Sequence, residues 1–67
     1  MPAVYKLGGI ELRKVGSELW FLGESRVVWM HVGQLLSSPD ASIRALHENG
    51  FEIGKSDFDS MVELLSS

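Results

Sequence analysis

The run from Ile10 to Leu22 breaks once, at Gly16-Ser17, and on either side of that break strand-forming residues alternate in polarity. A Gly-Ser pair between two such runs reads as the two-residue loop of a β-hairpin with a type II′ turn. This loop fixes the register: Val15 faces Glu18, Arg13 faces Trp20, Leu12 faces Phe21 and Glu11 faces Leu22. Because side chains alternate across a strand, Ile10, Leu12, Leu19 and Phe21 share one face, the expected core. Glu11, Arg13, Val15, Glu18, Trp20 and Leu22 share the other, where an arginine can lie over an indole.

Around this hairpin, Val4–Leu7 is a short strand candidate, joined to it by the turn signal Gly8-Gly9 and expected at an edge. The segment from Arg26 to Val32 fits two periods. As a strand it alternates Val27, Trp29 and His31 against Val28, Met30 and Val32; as a helix capped by Ser25 it stripes Val28, Val32, Leu35 and Leu36. The stripe runs on to Leu36 without a turn signal, which favours a helix from about Val27 to Leu36, although Gly33 opposes it.

Ser38, Pro39 and Asp40 form a helix start, with Ser38 as the cap, and the helix should run from Pro39 to about Glu48. Its apolar stripe reads Ile43, Leu46 and His47, with Ala45 flanking. Asn49-Gly50 supplies a left-handed ending, over which Phe51 can fold back. Phe51–Ile53 crosses as a short extended piece. A last helix should begin at Ser56, with Asp59 in a capping-box position, and bury Phe58, Met61, Val62 and Leu65, with Leu64 alongside. The expected fold is α+β: a small antiparallel sheet from about residue 4 to 22, then two or three short helices over about residues 27–65, packed on one face in a single domain.

At 67 residues the chain is near the size at which one core only just offsets the lost chain entropy, so a partner or a second copy would matter to its stability. A hydrophobic fraction of 45% and a charged fraction of 22% fit a folded chain. With no cysteine, disulfides and thiolate metal sites are excluded, and a cytoplasmic location is the natural expectation. No segment approaches the roughly 18 apolar residues of a membrane span, so no membrane association is expected.

No catalytic constellation stands out. His31 and His47 have no ligand partners at recognised spacing, Asp57 and Asp59 flank a helix start where carboxylates serve the dipole, and Gly8-Gly9 lacks the pattern of a phosphate cradle. No metal, cofactor or enzymatic activity is expected. The feature that exceeds what a fold needs is apolar surface. Leu19–Leu22 is apolar on both faces of its strand, and Val27–Met30 is apolar all round. One small core covers one face of a sheet. Arg13, Trp20 and Leu22, extended by Trp29, are therefore the candidate protein-binding residues, since Trp and Arg dominate binding energy at interfaces. The expected function is a non-enzymatic interaction module, an inhibitor or adaptor of the kind small phage and bacterial regulators provide, with a target protein or a second copy as partner.

The competing expectation rests on Val32–Phe51. Its helix, Ser-Pro-Asp start, Ile43-Arg44 and closing Asn49-Gly50 resemble the helix-turn-helix of small transcription regulators. That resemblance implies a recognition helix presenting Arg44, with Lys14, Arg26 or Lys6 on phosphates. The order of a Trp-Phe hairpin followed by helices also resembles the N-terminal domain of phage antirepressors of the BRO type, a likeness of element order that assigns no residue a role. Charge weighs against nucleic acid: the net charge is −3, and residues 31–67 hold two cations against six carboxylates, a surface that repels phosphates.

Overall fold

A computed structural model describes residues 3–66. The chain forms a four-stranded antiparallel sheet followed by three helices, the α+β architecture expected: β1 (Ala3–Leu7), β2 (Ile10–Val15), β3 (Glu18–Leu22), β4 (Val27–His31), α1 (Val32–Ser37), α2 (Pro39–Glu48) and α3 (Lys55–Ser66). The strands lie in chain order, β1-β2-β3-β4, with β1 and β4 at the edges. In the central hairpin Val15 pairs with Glu18, Arg13 with Trp20, Leu12 with Phe21 and Glu11 with Leu22, the register that the Gly16-Ser17 loop dictates. Gly16 has φ +61° while no described non-glycine residue has positive φ, so only the first loop residue is left-handed, as a type II′ turn requires.

The helix expected from Val27 begins only at Val32. Residues 27–31 are instead a fourth strand, with Trp29 opposite Trp20 and Met30 opposite Leu19. The two readings share Val28 and Val32, which pack on the core, and between residues 27 and 32 only the buried Met30 tells them apart. Apolar periodicity therefore separates them by a single residue. The β-branched and aromatic residues 27–29 decide for the strand once β3 offers an edge to pair with.

The core forms between one face of the sheet and the helices. Leu12, Leu19, Phe21 and Met30 from the strands meet Leu35, Leu46, Phe58 and Met61 from the helices, and Phe51 and Ile53 from the crossing segment. Phe21 and Phe51 meet edge to face, with ring centroids 6.5 Å apart. α2 ends as expected in a Schellman motif. The Phe51 N–H reaches the Leu46 carbonyl (2.9 Å), the Gly50 N–H reaches the His47 carbonyl (3.0 Å), and Gly50 takes φ +86°.

Three local expectations need correction. Ser38 stands at the N-cap of α2 with φ −136° and ψ 66°, and its side chain makes no capping bond. His47 is exposed and the buried stripe of α2 runs through Ser42 and Leu46 instead. The last helix starts at Lys55, and Asp59 accepts from Lys55 Nζ one turn earlier (3.0 Å) rather than closing a capping box.

Candidate functional site

With all three helices on one side, the other side of the sheet is left to solvent, and strand alternation determines what it shows. Pairing aligns its side chains in cross-strand rows. One row runs Val4, Arg13, Trp20, Trp29; the next runs Lys6, Glu11, Leu22, Val27; a third holds Val15, Glu18 and His31. The four protein-binding candidates, Arg13, Trp20, Leu22 and Trp29, are thus brought onto a single surface. Trp29 is 43% exposed, Val27 58% and Val4 53%. Among the described residues no helix covers this face.

The two indoles meet edge to face, with centroids 6.3 Å apart, and Trp29 in turn meets the His31 ring at 4.7 Å. Trp20 Nε1–H donates to Glu18 (3.4 Å). Arg13 does not depend on an indole for its partner, because its Nε–H donates to Glu11, which also accepts from Lys6 Nζ (2.7 Å). The Lys6 hydrogen bond first, and that of Arg13 second, hold the Glu11 carboxyl below its ordinary value. Beside this ion cluster, Arg13, Val15, Trp20 and Leu22 line an open depression of about 260 Å³. The surface therefore combines an aromatic strip with a margin of two cations sharing one carboxylate, a mixture that suits contact with another polypeptide.

Sequence reasoning missed Val4, Lys6, Val27 and His31 on this face. Val27 and His31 were visible in the strand alternation of residues 27–32, and a third strand paired in register beside Ile10–Val15 would have added Val4 and Lys6.

The cations of the nucleic-acid reading are spread apart. Lys14 pairs with Leu19 near one end of the sheet, whereas Arg26 lies beyond the Leu22–Val27 pair at the other. A Cβ built at Gly50 would stand 2.5 Å from Arg26 Nε, so this side chain lies across the C-terminal end of α2, where a cation complements the helix dipole. Arg44 is exposed on α2, and a single residue, Ser38, separates α2 from α1.

His47 Nε2–H donates to the Ile53 carbonyl (2.8 Å) and ties α2 to the crossing segment. No three His, Asp or Glu side chains gather as a metal ion would require among the described residues. A larger depression of about 500 Å³, between the Gly8-Gly9 turn and Gly23-Glu24, is lined by Lys6, Glu11 and Glu24, with the exposed Lys6 amine held in its ion pair with Glu11. No described helix is long and apolar enough to cross a membrane. Compared with known proteins, the chain matches no family model, no curated protein and no solved structure.

Proposed function

We propose that the chain is a non-enzymatic protein-binding module, an inhibitor or adaptor working in the cytoplasm, whose contact surface is the helix-free face of the sheet. The observation that carries this reading is the pairing of Trp20 with Trp29 on that face, beside Arg13 and Leu22. An indole left half in water forfeits transfer free energy that a partner's surface recovers, and Trp and Arg are the residue types that concentrate binding energy. Glu11 pairs with both Arg13 and Lys6 and offsets one of their two charges, so the margin keeps a single net positive charge that polar or weakly acidic groups of a partner can meet.

The test compares the intact protein with Trp20→Glu and Arg44→Ala as immobilised baits, with circular dichroism as the check on folding. A protein held by the parent and by Arg44→Ala, but lost by roughly 30-fold or more in affinity with folded Trp20→Glu, supports the reading. Duplex DNA that quenches the tryptophans at low salt, is released at high salt and is lost with Arg44→Ala would replace it with the regulator reading.

A further inference from the structure

Backbone bonds at the two ends of β4 determine which way its peptide groups point. Gly23 N–H donates to the Arg26 carbonyl and Val32 N–H to the Ser17 carbonyl, both 2.8 Å. Residues 26 and 32 therefore face β3, and the alternation of an antiparallel ladder gives residues 28 and 30 the same direction. Val27, Trp29 and His31 must then turn their N–H and C=O groups to the open side of the sheet. As an edge strand, β4 meets no further strand on this side; the His31 carbonyl, at the N-cap of α1, accepts the first bond of that helix with one lone pair and keeps the other.

We propose that this edge is a dimer interface, in which β4 pairs antiparallel with β4 of a second copy about a two-fold axis through Trp29. The commitment to a second copy comes from the register. Centring on Trp29 sets Val27 against the partner's His31, Trp29 against the partner's Trp29, and His31 against the partner's Val27. Every outward N–H of the three residues then finds an acceptor and the Val27 and Trp29 carbonyls find donors, with the second lone pair of the His31 carbonyl accepting as well; a register centred on residue 28 leaves the His31 N–H unpaired, and one centred on residue 30 leaves Val27 unpaired. The same register keeps the faces consistent, with Val28 beside the partner's Met30 on the core side. No residue of β4 is an acid, Lys, Arg or Pro, so nothing repels along the axis. The opposite edge differs: Lys6 projects from β1, the kind of charged residue that keeps a strand edge from pairing. The dimer would carry one eight-stranded sheet and continue the Trp20–Trp29 contact into a row of four indoles.

This interface is backbone-made and lies beside the contact face rather than on it, so it stands or falls separately from the proposed function. Sedimentation equilibrium across micromolar to millimolar protein should show mass rising from 7.4 kDa towards twice that value. Amide exchange should slow with concentration at residues 27, 29 and 31 and stay unchanged at 28 and 30. His31 has φ −78°, which proline adopts freely, and its N–H points outward, so His31→Pro removes edge donors without disturbing the β3 ladder. It should weaken the dimer about tenfold or more, while His31→Ala, which keeps the N–H, retains it. A monomer at every concentration overturns the proposal. So does a dimer that tolerates His31→Pro but is lost with Trp20→Glu, which would place the second copy on the sheet face.

Discussion

Ser42 puts a hydroxyl on the buried side of α2, 2% exposed and, among the described residues, without a hydrogen-bond partner for Oγ. A buried unpaired hydroxyl is desolvated for no return, and serine is also a poorer helix former than alanine. Ser42→Ala should therefore stabilise the fold by about 1 kcal/mol, read as a higher midpoint in urea with unchanged slope. This position also marks a limit of hydropathy patterning. The apolar spacing of α2 reads Ile43, Leu46 and His47 as its stripe, yet the fold buries the small Ser42 and exposes His47. Glu11 makes the complementary case. Its carboxyl is held below the ordinary value of 4.5 in the fold, first by Lys6 and then by Arg13, so its ionised form favours folding. That contribution is fully present above about pH 4.5 and is lost as pH falls through the depressed folded value. Glu11→Gln should flatten this part of the acid denaturation curve, measured by thermal melts between pH 5 and about pH 2.

Among the elements, the central hairpin and α2 were legible because each is bounded by residues with a specific backbone demand. Gly16-Ser17 admits one turn and hence one register, and Pro39 and Gly50 bracket α2 at its two ends. Gly50→Ala tests the second bracket. The nearest atoms to the Cβ it adds belong to the flexible, exposed Arg26 side chain, which can move aside, so the main cost is the left-handed backbone itself, about 1–2 kcal/mol, visible as a lower urea midpoint. β4 and α1 were not legible as separate elements because the chain passes from one to the other with no punctuating residue. His31 ends the strand, Val32 starts the helix, and Gly33 already lies inside it. The division depends on where β3 stops offering partners: the Val32–Ser17 bond is the last of that ladder, and the chain coils immediately afterwards. Propensity along the segment carries no mark of that point. The candidate site shares this history, since Arg13, Trp20 and Leu22 followed from the hairpin register, whereas the seat of Trp29 beside Trp20 needed the fourth strand.

At the scale of the whole molecule, three helices on one face leave the other uncovered, where the proposed partner would sit, and the edge of β4 is where the proposed second copy would pair. The two surfaces meet at Trp29, whose side chain belongs to the face and whose peptide group belongs to the edge. Pairing at the edge would order the same residue that the proposed face-bound partner would contact. The strand order has a separate consequence. Each strand pairs with its neighbour in the chain, across loops of two, two and four residues, so the sheet needs no distant segment to close it. Loop-closure entropy is then lost in small steps, each recovered by a ladder before the next begins. Such a meander can zip from either end of the hairpin, and only the docking of α2 and α3 requires a long search.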